Sequence, residues 1–507
     1  MNTYLGIEFG STRIKAVTIN EKYLPVSSGS YTWRSDYKDG IWTYDLAEAW
    51  EGIRSALREV ELRQNIKAMG ISGMMHGYLA FDKDWNLLVN FRTWQNTMTA
   101  RAASELTELF GFNIPQRWSI AHLYQAVLNN EKHIKRIAHI TTLAGYIHYM
   151  LTGVNAVGIG EASGIFPIDS EMLCYDRTMV EKVNALVSKY DLPWELEEIL
   201  PSVLVAGESA GTLTEKGAAL LDNLVPAGIS FAPPEGDAGT GMVATNSVAP
   251  RTGNVSAGTS IFSMVVLEKP LKNIYEEIDV VTTPNGKPVA MVHCNNCTND
   301  SNAWVSVLKE TAELFGANPN TDELYTKLYK KSLDGDIDCG GVLVCNYMAG
   351  EGITRLDEGR PLVVRKADSK FSLANFLKAT LYSTIATLKL GMDILEKEKV
   401  AVDTLTAHGG LFKTPEVAHR YMVAACNAPV TIMETAGEGG AYGMALLAAF
   451  SAVGQDKALE DFLNICVFKD AFRSTKKPLK TDVDGFNKYI TEYKKLLEIE
   501  KTAIEVL

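Results

Sequence analysis

The stretch that decides the fold is LGIEFGSTRIKAVTI, residues 5–19. Two runs of strand-forming side chains flank a Gly-Ser-Thr turn, so this stretch predicts a β-hairpin that opens the chain. A similar stretch, GNVSAGTSIFSMVVL, occupies residues 253–267 near the middle of the chain. Any two hairpins look alike, and that interpretation stays open for the pair taken alone. Two similar domains, each beginning with such a hairpin, would also explain the repeat.

The rest of the chain alternates strand-like and helix-like segments, which indicates an α/β protein. Residues 45–60 carry apolar side chains at helical spacing, and residues 372–395 do the same. A loop sequence at residues 246–252 marks the predicted boundary. We therefore expect an N-terminal domain over residues 1–248 and a C-terminal domain over residues 249–507.

The last segment, residues 481–507, has aromatic and leucine side chains at roughly helical spacing. It predicts a C-terminal helix that docks on the second domain. Packing on the core is the simpler interpretation of this pattern, and a homodimer contact is the alternative.

Composition restricts the class of protein. The chain has 507 residues, 22% charged residues, 46% hydrophobic residues and a formal net charge of −12. Such an acidic chain lacks the clustered Lys and Arg that bind nucleic acid or an anionic membrane, so we expect neither partner. Seven Cys do not make a disulfide scaffold, and no signal-peptide pattern or long apolar run is present. We therefore expect a cytoplasmic protein.

Both hairpin turns have the composition of an anion-binding loop. Glycine lets backbone N–H groups converge on an anion, and hydroxyl side chains add further donors. The residues are Gly10, Ser11, Thr12 and Arg13 in the first turn, and Gly258, Thr259 and Ser260 in the second. Glu8 beside the first turn is a candidate to hold Mg²⁺ through water. Most turns of this kind bind nothing, but the two together suggest a nucleotide held between two domains.

A carboxylate lies in the glycine-rich sequence PPEGDAGTG, residues 233–241. The simple interpretation of Asp237 is an N-cap of the following helix. The functional alternative is a general base that accepts a hydroxyl proton during phosphoryl transfer.

Two glycine pairs, Gly409-Gly410 and Gly439-Gly440, lie next to a predicted strand and an apolar helix. Backbone without side chains lets a flat ring lie close, whereas helix packing is the ordinary explanation. His76, in the sequence MMHG, follows a strand. A turn histidine with satisfied hydrogen bonds is more common there than a catalyst.

In order and spacing, these motifs resemble the FGGY carbohydrate kinases, which share a superfamily with actin, hexokinase and the heat-shock chaperone ATPase. The resemblance extends from about residue 3 to about residue 452, and its closest parts are similar to the xylulokinase branch. It implies an α/β fold of two ribonuclease H-like (actin-like ATPase) domains with a catalytic cleft between them. It also implies transfer of a phosphoryl group from ATP, with Mg²⁺, to a sugar hydroxyl.

The resemblance assigns roles to particular residues. Asp237 matches the catalytic base, and the two hairpin turns match the first and second phosphate motifs. The residues that match the sugar-binding segments are Met75, His76, Gly77, Trp94 and Asn96, together with Asp237 itself. The adenosine loops are matched by Gly409-Gly410 and by Glu438-Gly439-Gly440-Ala441, and Gly350-Glu351 resembles the start of a Gly-Glu-Arg segment.

Several positions depart from the family pattern. Glu8 stands where the first phosphate motif usually has Asp, so the position of Mg²⁺ must shift or a water must be lost. Asn96 and Met98 replace the Asp and Arg of the usual Trp-x-Asp-x-Arg, and Ala238 follows the base where Asn or Gln is common. An amide lacks the charge for a strong bond to a hydroxyl.

The predicted function is ATP-dependent phosphorylation of a ketopentose such as xylulose. Fuculose, rhamnulose, ribulose, gluconate and glycerol are alternative substrates. A sugar-binding pseudokinase or regulator, and a chaperone or filament ATPase, are rivals from other classes. Cys294 and Cys297 in HCNNC suggest two buried thiols at a strand end, with a metal or redox site as the alternative.

Overall fold

The computed structural model describes residues 2–61, 66–414, 416–433, 439–454 and 456–507. Glu438, from the second predicted adenosine loop, lies outside these residues. Strands and helices alternate along the described chain, which confirms the predicted α/β class.

The chain forms two compact units. Unit 1 comprises Met1–Pro250, Lys269–Val289 and Glu438–Ala471. Unit 2 comprises Arg251–Glu268, Ala290–Gly437 and Phe472–Leu507. Each unit is built from three separate segments of the chain. The predicted division into residues 1–248 and 249–507 stays a prediction.

The strands have the following bounds: β1 Thr3–Phe9, β2 Arg13–Asn20, β3 Pro25–Thr32, β4 Asp36–Lys38, β5 Ile41–Thr43, β6 Ile66–Gly73, β7 Leu79–Phe81, β8 His139–Thr141, β9 Ala156–Gly158, β10 Ile168–Asp169, β11 Cys174–Tyr175, β12 Ser202–Leu204, β13 Ser230–Phe231, β14 Glu235–Gly236, β15 Thr252–Ala257, β16 Ile261–Val266, β17 Asp279–Thr282, β18 Pro288–Cys294, β19 Val342–Cys345, β20 Leu362–Arg365, β21 Thr404–His408, β22 Val430–Met433 and β23 Arg473–Lys476.

The α-helices have the following bounds: α1 Leu46–Glu59, α2 Ala100–Phe110, α3 Ser119–Leu128, α4 Leu143–Thr152, α5 Ile159–Ala162, α6 Arg177–Val187, α7 Leu196–Ile199, α8 Glu215–Leu220, α9 Asp237–Ala244, α10 Asn299–Leu314, α11 Thr321–Ser332, α12 Leu373–Lys397, α13 Val417–Cys426, α14 Gly439–Val453, α15 Leu459–Asp461 and α16 Lys480–Val506. In the described part of the chain, no helix combines the length and apolar character that crossing a bilayer requires.

The main sheet of unit 1 is mixed. Its strand order is β13-β6-β1-β2-β3, and β14 also pairs with β6. The hairpin of β1 and β2 is antiparallel, whereas β6 runs parallel to β1 and both β13 and β14 run parallel to β6. Parallel strands β6 and β14 therefore end at the same edge of the sheet, which is where Met75-His76-Gly77 and Asp237 follow.

The main sheet of unit 2 repeats this plan. Strands β18, β16, β15, β21, β22 and β23 lie in that order, with β15 and β16 forming an antiparallel hairpin. Strand β21 runs parallel to β15, as β6 does to β1. Both predicted hairpins are therefore confirmed, and in each sheet a further strand runs parallel to the first strand of the hairpin.

The predicted helices are also present. Asp45 caps α1, because its Oδ1 accepts the N–H of Ala47 at 2.8 Å. Ser372 caps α12, whose buried residues extend well beyond the one face that the spacing predicts, as is typical of a core helix. In α16, Phe486, Tyr489 and other apolar side chains are buried within unit 2, which confirms the docked C-terminal helix. The dimer contact stays a prediction.

Helix α14 packs closely against the sheet of unit 1. A Cβ atom at Gly6 of β1 would overlap the carbonyl oxygen of Ala441. Only glycine therefore permits this approach. As a result, the first turn of α14 lies beside β1 and the residues that follow it.

Candidate active site

Asp237 is the first residue of α9, directly after β14. The N-cap residue of this helix is Gly236, and no side chain caps it. The N-cap interpretation of Asp237 is therefore wrong. Its Oδ1 instead accepts the N–H of Met75 at 3.1 Å and the N–H of Ala238 at 3.0 Å.

These two bonds hold one oxygen of the Asp237 carboxylate in place. The side chain is half-buried. Burial raises the pKa of Asp237, and the N–H groups of Met75 and Ala238 oppose this shift. A fixed carboxylate with a raised pKa has the properties of a general base.

The Met75-His76-Gly77 segment forms a sharp turn after β6. His76 and Gly77 both have positive φ, 68° and 84°. A Cβ atom at Gly77 would lie 2.8 Å from the carbonyl oxygen of Arg92, so glycine is required for space as well as for conformation. The His76 ring stacks on Trp118 with centroids 6.1 Å apart, and its Nδ1 lies 3.3 Å from the carbonyl oxygen of Gly164. Met75 therefore contacts Asp237, and His76 next to it packs on Trp118.

The amide of Asn96 has partners within unit 1. Its Oδ1 accepts the N–H of Trp42 at 2.9 Å, and its Nδ2 donates to the carbonyl oxygens of Trp42 at 2.8 Å and Thr93 at 3.0 Å. These bonds join Trp42 in β5 to the segment around Trp94. The sugar-binding role of Asn96 and Trp94 stays a prediction. The hydrogen bonds of Asn96 hold the segment around Trp94 against Trp42.

The first phosphate turn is anchored by aromatic side chains. Trp33 Nε1 donates to the carbonyl oxygen of Gly10, and Tyr44 Oη donates to that of Ser11, each at 2.7 Å. The side chains of Thr12 and Arg13 are exposed. The turn is thus held firmly while its hydroxyl and guanidinium groups remain accessible to an anion.

Glu8 lies at the end of β1 opposite Lys15, and its carboxylate points to the first turn of α14. Oε2 accepts the N–H of Ala441 at 3.1 Å, and a Cβ atom at Gly440 would lie 2.5 Å from Oε1. Burial, followed by the charge of Asp237, raises the pKa of Glu8 to about 7. The carboxylate that replaces the family's Asp therefore binds a helix N-terminus.

The second glycine pair has mixed surroundings. Gly440 is buried against Glu8 and Thr240, as expected of a packing glycine, whereas Gly439 is half-buried with a φ of 72°. Their adenosine-binding role stays a prediction.

In unit 2, the second phosphate turn is closed by a bond from the Gly258 N–H to the carbonyl oxygen of Ser260 at 2.9 Å. The first turn is closed by a wider bond, from the Gly10 N–H to the carbonyl oxygen of Arg13 at 2.9 Å. Thr259 is exposed. Each turn is thus closed by its own backbone, over two residues in unit 2 and over three in unit 1.

The first glycine pair follows β21 directly beside this turn. Gly409 has a φ of 107°, and a Cβ atom there would overlap the carbonyl oxygen of Ala257. Both Gly409 and Gly410 are exposed. Bare backbone thus lies next to the second phosphate turn within one unit, as a nucleotide site requires.

Cys294 and Cys297 are buried, and Cys294 ends β18. This confirms the two buried thiols at a strand end. Nearby, Glu351 accepts bonds from the backbone N–H of Asn296 at 3.2 Å and from its Nδ2 at 3.1 Å. The Gly350-Glu351 segment is therefore a structural connection within unit 2. Among the described residues, no group of three acidic, His or Cys side chains has the geometry to hold a metal ion.

Two buried acids near Asp237, Glu161 and Glu235, were not predicted from the sequence. Both are at most 1% exposed. Glu235 is two residues before Asp237, and Glu161 comes from α5, which is distant in sequence. The only sequence signal for either acid was the presence of Glu235 inside the glycine-rich segment 233–241.

Comparison with known proteins identifies the chain. The model for the FGGY family of carbohydrate kinases, N-terminal domain, matches residues 3–232, and the corresponding C-terminal domain model matches residues 253–452. Xylulose kinase of Haemophilus influenzae is 22% identical over 432 residues, which are 80% of this chain and 82% of that protein.

Solved structures share the fold at low identity. A ligand-bound xylulose kinase from Lactobacillus acidophilus aligns with a TM-score of 0.81 and 15% identity over 98% of each chain. Plasmodium falciparum glycerol kinase with ADP aligns with a TM-score of 0.76 and 14% identity, over 99% of this chain and 98% of that one.

The protein is a carbohydrate kinase, a phosphotransferase that uses an alcohol group as acceptor. It belongs to the FGGY family, because the two domain models together match most of its length. The predicted family and the predicted fold of two FGGY domains are therefore confirmed. The cytoplasmic location stays a prediction.

Proposed function

We propose that this kinase transfers the γ-phosphoryl group of ATP to a hydroxyl of a ketopentose, with Asp237 as the general base. The observation that carries the proposal is the Asp237 carboxylate at the start of α9, whose Oδ1 is bonded to the N–H groups of Met75 and Ala238. Among the described residues, no backbone N–H donates to Oδ2. Oδ2 is therefore the oxygen that would accept the substrate proton.

The proton balance of the step is simple. The acceptor hydroxyl of the sugar gives its proton to Asp237 Oδ2 as its oxygen bonds to the γ-phosphorus, and ADP leaves. Because burial raises the pKa of Asp237, the carboxylate holds this proton more readily than an exposed Asp would. Met75 and Ala238 keep the carboxylate from rotating away during the transfer.

The two hairpin turns supply the anion-binding groups. Ser11, Thr12 and Arg13 in unit 1, and Thr259 and Ser260 in unit 2, would bind the phosphate oxygens of ATP through hydroxyl, guanidinium and backbone N–H groups. Gly409 and Gly410, and Gly439 and Gly440, would leave room for the adenosine.

Mg²⁺ would neutralise charge on the transferring phosphoryl group. Glu8 is the carboxylate beside the first phosphate turn, so its chemistry fits a hard cation. One of its oxygens already binds the N–H of Ala441. Glu8 would therefore hold Mg²⁺ through water rather than as a direct ligand.

The choice of a ketopentose rests on the Met75-His76-Gly77 loop and on similarity to xylulose kinases. Fuculose, rhamnulose and ribulose are the nearest alternatives, and gluconate and glycerol are more distant. Because Asn96 offers an amide already bonded to Trp42, hydroxyl selection would depend on shape and on the penalty for unpaired polar groups. That penalty is about 1–3 kcal/mol for each misplaced hydroxyl, so one sugar should stand out.

Asp237→Asn tests the base. The amide oxygen can still accept the Met75 N–H, but it cannot take a proton, so we expect kcat to fall by roughly 10²- to 10⁴-fold. Binding of ATP and sugar should change little. Asp84→Asn, an exposed carboxylate on the same unit, is the matched control. If Asp237→Asn keeps most of its activity, another residue is the base.

A coupled assay over ketopentoses, deoxyketohexoses, aldonates and polyols tests the substrate. We expect the highest kcat/KM with a ketopentose. A tenfold preference for glycerol or gluconate would refute the substrate while leaving the kinase assignment intact. The rival regulator predicts that a sugar raises the melting temperature but that none stimulates release of ADP.

A further inference from the structure

The segment that carries Asp237 is tied down by the side chain two residues before it. Glu235 is 1% exposed, and its carboxylate reaches the start of α5. Its Oε2 accepts the N–H of Glu161 at 2.9 Å, and its Oε1 accepts the N–H of Gly160 at 3.3 Å. Two hydrogen bonds therefore join the Glu235 side chain in β14 to the backbone of residues 160–161.

The backbone around this carboxylate is built to admit it. A Cβ atom at Gly158 would overlap Glu235 Oε1, and a Cβ atom at Gly160 would overlap Oε2. The φ of Gly158 is −66°, which any residue can adopt, so this glycine provides space and not conformational freedom. The Gly158 N–H also donates to the carbonyl oxygen of Pro234 at 2.7 Å. Two glycines thus form a recess for one carboxylate next to the base.

The opposite side of the same segment is also closely packed. A Cβ atom at Gly236 would overlap Met75 Cγ and would lie 2.5 Å from Glu161 Oε2. Met75 in turn donates its N–H to Asp237. The backbone between Glu235 and Asp237 is therefore confined between the Glu235 recess on one side and Met75 with Glu161 on the other.

The cost of burying the Glu235 acid is offset by the hydrogen bonds that it accepts. Burial raises the pKa of Glu235 and, more strongly, that of Glu161, and the backbone N–H donors oppose the shift only for Glu235. A hydrophobic residue of similar volume would avoid the cost of burying an acid but would leave the N–H groups of Gly160 and Glu161 without this acceptor. Removal of the Glu235 carboxyl group would therefore release β14 from residues 160–161.

We propose that Glu235 is a positioning residue for phosphoryl transfer: its carboxylate, bonded to the N–H groups of Gly160 and Glu161, fixes the backbone that carries Asp237. The inference rests on the proposed role of Asp237 as the base. A displacement of about 1 Å at a reacting group can cost about 10²-fold in rate. Loss of the Glu235 contact should therefore lower kcat and leave substrate binding intact.

The first experiment compares Glu235→Ala, Glu235→Gln and the control Glu215→Gln, which replaces an exposed acid in the first turn of α8. We expect Glu235→Ala to lower kcat about 10- to 100-fold, with KM for sugar and ATP changed by less than about threefold. Glu235→Gln retains one acceptor oxygen and should fall between wild type and Glu235→Ala. A change in KM with unchanged kcat would overturn the proposal.

The second experiment uses the recess itself. Gly158→Ala forces the Glu235 carboxylate to move and should lower kcat as Glu235→Ala does. In the Glu235→Ala background the new methyl group has room, so Gly158→Ala should cause no further loss. Gly352→Ala, at an exposed glycine with no atom within 4 Å of the added Cβ, is the matched control. Full additivity of the two changes would overturn the proposal, and this pair remains informative if one Glu235 variant folds poorly.

Asp237→Asn separates the two hypotheses. In that background, Glu235→Ala should not lower the residual rate further, because the group that it positions is gone. If Asp237→Asn is inactive and Glu235→Ala keeps wild-type kcat, only the positioning role is refuted. If Asp237→Asn is fully active, both the base and the positioning role are refuted.

Discussion

Replacing Glu8 by Asp, Gln and Ala separates two tasks that this carboxylate is able to perform. In the structure, Glu8 Oε2 binds the N–H of Ala441 in the first turn of α14 at 3.1 Å. In the proposed mechanism, the same side chain also holds Mg²⁺ through water. The helix contact depends on the length of the side chain, and the metal contact depends on its charge. The three variants therefore affect the two tasks differently.

The expected loss of stability follows from the geometry. Asp withdraws the carboxylate by about 1.5 Å, one carbon–carbon bond, which breaks the contact with Ala441. Ala441 is fully buried, so its N–H would be left unsatisfied, at a cost of about 1–3 kcal/mol. Gln keeps an acceptor oxygen at the same reach and should lose about 1 kcal/mol or less, the difference between a charged and a neutral acceptor. At roughly 1–2 °C per kcal/mol for a unit of this size, thermal melting resolves the larger of these steps.

The proposed role of Glu8 in holding Mg²⁺ predicts a different order of effects among the three variants. If the charge of Glu8 holds Mg²⁺, Glu8→Asp should preserve or raise activity at saturating Mg²⁺, and Glu8→Gln and Glu8→Ala should need more Mg²⁺. Melting temperature and Mg²⁺ dependence of kcat are measured for all variants, with Glu215→Gln as the control. Equal melting temperatures for Glu8→Asp and wild type would refute the helix contact. Equal Mg²⁺ dependence in every variant would remove Glu8 from the metal site.

Two further predictions concern stability and nucleotide binding. Burial raises the pKa of Glu235 from 4.5 to about 8, so the folded state binds more protons than the unfolded state between these values, and the free energy of unfolding should fall as pH rises through this range. Thermal melting from pH 5 to pH 8 should show this slope, and a slope that is unchanged in Glu235→Gln would contradict the assignment. Gly409→Ala, at a φ of 107° and against the carbonyl oxygen of Ala257, should weaken ATP binding while sugar binding is kept. Titration calorimetry against the Gly352→Ala control measures this, and unchanged ATP affinity would exclude Gly409 from the nucleotide site.

The hairpins were predictable because their signals are local. Alternating strand-forming residues around a Gly-Ser/Thr turn define β1 with β2, and β15 with β16, without reference to the rest of the chain. Capped apolar helices such as α1 and α12 are local in the same sense. The similar centre of the two sheets also followed, because a repeated hairpin at the start of each half favours a repeated fold.

The contacts of individual polar side chains were not predictable, because they depend on residues distant in sequence. Asn96 bonds to Trp42, 54 positions away, and Glu8 bonds to Ala441, 433 positions away. Each residue was singled out for the right reason, as a departure from the expected residue type. Its partner was visible only once the sheets had formed.

The departures and the missed acids have a common physical origin. Glu8 and Glu235 both place a carboxylate against backbone N–H groups, those of Ala441 in one case and of Gly160 and Glu161 in the other. In both cases a glycine beside the bond makes room for the carboxylate, so a side chain added at that glycine would displace the carboxylate. A carboxylate that binds backbone in this way is available for chemistry only through its remaining lone pairs. Asp237 satisfies that condition because its Oδ1 carries the backbone bonds and its Oδ2 is left for the substrate. The distribution of backbone N–H donors, more than the number of acids, therefore distinguishes the proposed base from the residue proposed to hold it in place.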